Sequence, residues 1–322
     1  MKCDFTDVDM DLGLLADKTV AVIGYGIQGE NQAKILRDNG VAVMVHNRAD
    51  AYADNARRDG FDVHPIDEAV AGSDITMLLI PDGSQAQVYN EGVAPHIRPD
   101  SMLVTAHGYS ITYGGLEPRE DIDVCLLAPR YPGQVIRENY EAGKGTLAFF
   151  GVHQDATGKA KETGLALAKG VGLTELLEIS LVDETHVDLW IENFLIPRLR
   201  GTIEACYAVA VENGIPPAIA ALEAYQSNEI LGLLTQGVTD GLYETFHGRT
   251  SPTCQFGVAS GDPVVNAGVM ELGREIYANI VSGDFAQRLV AEESAGYPVK
   301  NAFNERNLGS EFAATLKRLR EE

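Results

Sequence analysis

The run "DETHVDLWIEN" at residues 183–193 repeats carboxylates through a stretch that is turning apolar. Asp188 and Glu192 stand four apart, a spacing that puts both on one face of a helix about one turn from each other. Two like charges so placed repel mildly unless a cation lies between them. They are either an ordinary wet helix face or two ligands for a hard metal. A second constellation lies near the start, in "VAVIGYGIQGENQAKIL". Gly24, Gly26 and Gly29 form a G-x-G-x-x-G turn between a hydrophobic strand pattern and an amphipathic helix pattern, the context a dinucleotide-binding turn requires. Gly24 permits a tight turn, Gly26 lets backbone approach a pyrophosphate, and Gly29 lets helix and strand pack closely. Tyr25, Ile27 and Gln28 complete the cofactor-binding turn, and the helix that follows offers unpaired N–H groups to phosphates. The end of the next strand, "HNRADAY", carries Arg48, which suits the 2′-phosphate of NADPH, and Asp50, which would repel it or face solvent. The reading is NADPH, with NADH as the alternative.

The elements that must position these residues follow from the patterning. Short Val-, Ile- and Leu-rich runs at 19–26, 41–47, 75–82, 101–108, 123–130 and 146–152 read as strands. Helical patterns such as "ENQAKILRDNG", ended by Gly40, separate them. That alternation predicts an α/β fold, an N-terminal Rossmann-type, doubly wound parallel sheet. From about residue 181 strand signals nearly vanish. Helical patterns at 184–212, 216–235, 263–281 and 284–294 predict an all-α C-terminal domain, so the domains read as 1–181 and 182–322.

The 322 residues suffice for two domains with cores of their own. A net charge of −22, spread along the chain, argues against nucleic acid or an anionic membrane as a partner. The sequence has no apolar run of membrane-spanning length and no signal-peptide core, which points to the cytoplasm. Cys3, Cys125, Cys206 and Cys254 lack metal-site spacing and read as reduced thiols, Cys125 within the core.

The segments "VAVIGYGIQG", "LIPDGSQAQVY", "AHGYSITYG", "APRYPGQVIR", "DETHVDLWIEN" and "SGDFAQRLVAEESAGYPVKNAFN" resemble, in the same order, the short form of ketol-acid reductoisomerase over roughly residues 1–305. The resemblance implies a knotted helical domain. It also implies NADPH- and Mg²⁺-dependent alkyl migration in a 2-hydroxy-2-alkyl-3-oxo acid of the acetolactate type, then reduction, within branched-chain amino-acid synthesis. It makes Asp188 a bridge between two Mg²⁺ ions and Glu192 a ligand of one. Glu223 matches the first acid of a second pair that the family contributes across a dimer interface. The position four later is Ser227 rather than Glu. Glu229 lies two further on, six from Glu223, and so on a different side of a regular helix. Ser251 matches the substrate-carboxylate serine, against the plain reading of a loop serine before Pro252. His107 falls near cofactor and metal-bound solvent. Arg130 stands where the family has lysine, a non-conservative exchange at a tight site. Gly133 shapes the same loop, and Gln85 matches a nicotinamide-side loop, against the plain reading of a polar residue at a helix start. The resemblance implies a homodimer or higher oligomer with a small-molecule 2-oxo or acetohydroxy acid substrate. Two other readings stay open: a diverged relative that only reduces a 2-oxo acid or related carbonyl, and a non-catalytic dinucleotide sensor.

Overall fold

The computed structural model describes residues 2–321. The chain divides into two compact units, Met1–Val187 and Asp188–Glu322. The first is built on one eight-stranded sheet. Its strands are β1 (Phe5–Thr6), β2 (Thr19–Ile23), β3 (Ala42–His46), β4 (Ile75–Leu78), β5 (Met102–Thr105), β6 (Asp123–Pro129), β7 (Leu147–Gln154) and β8 (Glu175–Glu178). Their spatial order is β1-β8-β7-β6-β5-β4-β2-β3. Strands β3, β2, β4, β5 and β6 run parallel; β7 turns antiparallel to β6, and β8 runs parallel to β7.

Alternation of side chains explains why this sheet must be covered twice. Along β2, Val20 and Val22 enter one core while Ala21 and Ile23 enter the other. Ile75 and Met77 of β4 and Met102 and Val104 of β5 join the first core, whereas Leu78 and Leu103 join the second. A strand buried on both faces reads as a continuous apolar run. Strands β1 and β8 are additions to the six-strand reading, since "FT" and "ELLE" are too short and too polar to signal strands. The order around β2 reverses between β3 and β4, and ligands of such sheets gather at that switch, beyond the carboxyl ends of the strands.

The second unit is helical. After Leu181–Trp190, which carries the chain across the division, it runs through Ile196–Glu212, Pro217–Ala221, Glu229–Asp240, Leu242–Arg249, Pro252–Val281, Asp284–Ser294, Pro298–Leu308 and Glu311–Glu321. One buried cluster joins Tyr207, Ala220 and Ala221 to Phe312, Leu316 and Leu319. The last two helices lie beyond the helical runs read from sequence. Those runs also need correcting in their interiors. The 184–212 run is interrupted by a π turn at Ile191–Leu195. The 216–235 run is interrupted by a π turn at Leu222–Gln226 and by Asn228, which is left-handed at φ 62°. Helical periodicity says where a helix lies but not whether one turn holds an extra residue. Among the described residues, no helix is long and apolar enough to cross a membrane, and the four cysteines are free thiols.

Candidate functional site

The turn after β2 is shaped as its glycines demand. Gly24 adopts φ 105°, and a Cβ there would meet the Leu79 carbonyl oxygen at 2.7 Å. A Cβ on Gly29 would lie 1.9 Å from the Gly24 oxygen, so helix Ile27–Asp38 starts hard against the turn. A Cβ on Gly26 would meet nothing within 4 Å. That open face is where a pyrophosphate fits, with the first N–H groups of the helix behind it. A cleft of about 530 Å³ opens here, lined by Gly24, Gly26, Ile27 and Gln28, by Asn47 and Arg48 beyond β3, and by Leu79–Pro81 beyond β4. The donor groups and the open glycine face fit a dinucleotide.

Tyr25 lies outside that lining. Its ring is fully buried, its N–H donates to Asn47 Oδ1 at 2.9 Å, and its hydroxyl donates to Asp59 at 3.0 Å. Gln28 faces the cleft and also donates to the Tyr131 carbonyl at 3.0 Å. Gly133 presses the loop after β6 against the same helix, since a Cβ there would come within 2.0 Å of the Ile27 oxygen. Arg48 is 88% exposed and donates from Nε to Asp50 Oδ2 at 2.8 Å. The Arg48 guanidinium holds the Asp50 carboxyl below the usual range, helped by the Tyr52 N–H that the same carboxylate caps.

A second polar cluster sits beyond β4, β5 and β6. Glu184 is wholly buried. Its Oε2 accepts from the Gly108 N–H at 2.8 Å and its Oε1 from Arg130 at 3.2 Å. Gly108 allows this approach, because a Cβ there would strike the Leu181 oxygen at 2.3 Å. The Arg130 guanidinium lies 4.6 Å over the Phe149 ring, so arginine here stacks as well as pairs. His107 Nδ1 lies 3.0 Å from Asp82 Oδ2, and its Nε2 lies 3.9 Å from Glu184 Oε2. Gln85 is buried and donates to the Ile80 carbonyl and to Asp82 Oδ1, while its Oε1 meets no hydrogen-bond partner among the described residues. Nearby, Tyr113 and His186 share a hydrogen bond at 2.8 Å.

Neither Glu184 nor Asp82 was singled out by sequence reasoning. Glu184 had a signal in plain sight, because Glu184, Asp188 and Glu192 recur every four residues.

In the helical unit, Asp188 is half-buried and Glu192 exposed. Glu192 stands on the π turn Ile191–Leu195 and Glu223 on the π turn Leu222–Gln226. Such turns hold more residues than the ~3.6 of an α-helix, which brings i and i+4 closer to eclipse, and they collect at functional sites. Carboxylate oxygens exposed to solvent are the donors a hard divalent cation takes. Glu229 opens the next helix directly after Asn228. The Glu223–Glu229 segment is therefore not the regular helix on which their six-residue spacing was judged. Ser251 caps the helix Pro252–Val281, its Oγ accepting from the Cys254 N–H at 3.2 Å.

The fold and the glycine cleft define a dinucleotide-binding protein of the Rossmann class. The family description "Acetohydroxy acid isomeroreductase, NADPH-binding domain" matches residues 14–176, and "Ketol-acid reductoisomerase, C-terminal domain" matches residues 181–322. The chain belongs to the ketol-acid reductoisomerase family, and with it to the NAD(P)H-dependent oxidoreductases. It is 37% identical over 321 residues to a ketol-acid reductoisomerase (NADP(+)) of Petrotoga mobilis, covering 98% of this chain and 96% of that one. It is 38% identical over 299 residues to the enzyme of the same name from Pyrobaculum calidifontis, covering 91% and 90%. Among solved structures, an NADH-preferring ketol-acid reductoisomerase from an uncultured archean superposes with a TM-score of 0.93 at 30% identity, over 100% of this chain and 99% of that one.

Proposed function

We propose that this chain isomerises a 2-hydroxy-2-alkyl-3-oxo acid of the acetolactate type by alkyl migration and reduces the product to a dihydroxy acid. One observation carries the reading: the two family descriptions fall in order on the two halves of the chain. When bound, the nicotinamide supplies hydride and Mg²⁺ supplies Lewis acidity toward the ketone and the alkoxide.

The chain's own residues do the rest. The turn Gly24–Gly29 cradles the pyrophosphate and Arg48 meets the adenosine end, with NADPH the preferred form. Asp188 and Glu192 would hold the cation with Glu223 contributed across a dimer interface, and Glu229 would supply the acid that Ser227 lacks. Ser251, at the start of a long helix, offers its hydroxyl and nearby N–H groups to the substrate carboxylate. Arg130 and Glu184 brace the wall beside His107. The functional domains run 1–181 and 182–322, in a cytoplasmic protein.

The helical unit leaves large apolar side chains on its surface, among them Val238 (90% exposed), Tyr243 (83%) and Phe256 (75%). Surface of that kind marks an association face, and we assign it to a second copy of this chain in a homodimer.

The test supplies the acetohydroxy acid and, separately, the already isomerised 3-hydroxy-2-oxo acid, each with NADPH or NADH and with Mg²⁺ or EDTA. Consumption of both substrates with Mg²⁺, and of neither after EDTA, is expected. Turnover of the acetohydroxy acid that survives stringent metal removal would refute the cation's role. Ser227 and Arg130 favour a second reading, a reductase that has lost the isomerase step. It predicts that only the isomerised acid is consumed. A higher kcat/KM with NADH would overturn the NADPH preference.

A further inference from the structure

We infer that His46 reads the base of the dinucleotide: its Nε2 accepts a hydrogen bond from the exocyclic amino group of adenine, so the cleft takes adenine nucleotides in preference to hypoxanthine ones. This rests on the reading of the glycine cleft as the nucleotide site, and not on which acid the chain turns over.

The sheet places the imidazole. His46 ends β3 and stands in register with Ile23 of β2. Residues side by side on neighbouring strands send their side chains to the same face of a sheet. Ile23 enters the second core, against which Ile80 and Val88 pack. All four of these residues line the cleft, so the imidazole stands among apolar side chains able to flank a planar base. The glycine turn takes the pyrophosphate, and the residues just beyond β3 take the adenosine ribose. The base therefore falls on this side of the cleft.

The backbone decides which ring nitrogen carries the proton. His46 Nδ1 lies 2.9 Å from the His64 carbonyl oxygen. A carbonyl oxygen only accepts, so the imidazole donates from Nδ1. That carbonyl is itself held in place, since the His64 N–H donates to the Val45 oxygen at 2.8 Å and Val63 bridges to Val45. A neutral imidazole protonated at Nδ1 offers an acceptor at Nε2. Adenine brings a 6-amino donor to that acceptor, whereas hypoxanthine brings a 6-oxo acceptor that opposes it. The two nucleotides share their phosphates and riboses, so the base edge alone separates them.

Isothermal titration calorimetry at about pH 8, above the ordinary histidine value of about 6.5, reads the preference without any turnover. The titrants are NADPH and its hypoxanthine analogue. The native protein is expected to bind the analogue at least about tenfold more weakly, through one lost hydrogen bond and one acceptor left unmatched. In His46→Phe, which keeps a flat ring without the acceptor, and in His46→Leu, the two nucleotides should bind within about twofold of each other, NADPH having weakened toward the analogue. The NADPH-to-NADH affinity ratio, which the base does not set, should stay within about twofold of native in both variants, as a general distortion of the cleft would not allow. Equal native affinity for NADPH and the analogue overturns the inference, as does a native preference that both variants keep. Should both variants bind no nucleotide, the native ratio decides alone. A native protein that binds neither nucleotide sinks the cleft and this inference together. One that binds NADPH but turns over neither acid ends the proposed function and leaves the base preference to its own result.

Discussion

Tyr25 sits between two glycines that face a ligand cleft, yet its own side chain faces the other way. Burial first, and then the hydrogen bond to Asp59, push its hydroxyl well above the usual tyrosine range. A raised pKa in the folded chain gives stability that is present below the unfolded value of about 10 and lost as pH rises through the folded one. Tyr25→Phe should therefore cost about 1 kcal/mol near pH 8, the worth of the hydrogen bond. That deficit should shrink by pH 11, as urea midpoints at the two pH values would report; a constant deficit contradicts the account. The same scale marks how far sequence reading reached. The places of Gly24 and Gly29 were legible because each is a steric demand of a known turn. Glu184 was not chosen, because its meaning lies in Gly108 and Arg130, 76 and 54 residues away in the chain. That Asp50 pairs with Arg48 and caps the next helix is a local contact which residue type alone does not announce.

Among the elements, the strands from β2 to β7 were legible because burial on both faces leaves long apolar runs. Helix Ile27–Asp38 was legible by its period and by Gly40, which adopts φ 77°. The interruptions at Ile191–Leu195 and Leu222–Gln226 were not, since a π turn keeps the composition of the α-helix around it. Asn228 was the one local hint. Its left-handed backbone is tolerable for Asn and free for Gly but costs a branched or bulky residue about 1–2 kcal/mol. Asn228→Gly should leave thermal stability near native, whereas Asn228→Leu should lower it by that amount. Equal stability of the two variants would mean that helix Glu229–Asp240 does not need this break.

For the whole molecule, the excess of acids acts on stability as well as on partner choice. With 47 Asp and Glu against 25 Lys and Arg, self-repulsion opposes the compact state. Raising KCl from ~0.05 M to ~1 M shortens the screening length to about 3 Å. The calorimetric midpoint should rise with it, and a midpoint that falls would exclude repulsion as the controlling term. The class of fold in each half was readable from the change of periodicity near residue 181. The family was readable from the order of its motifs, because both are properties of long stretches that single departures such as Ser227 do not erase.

The way the sheet ends has a bearing on how copies of this protein can meet. At one margin the outermost strand, β1, is two residues long in an acidic segment. At the other, β3 is crossed by a lone bridge from Val45 to Val63, with the His64 N–H bound to the Val45 oxygen. Neither rim offers an uninterrupted row of backbone donors and acceptors onto which a stranger's strand could zip. Fibril-like growth is thus discouraged at both borders of the nucleotide-binding half.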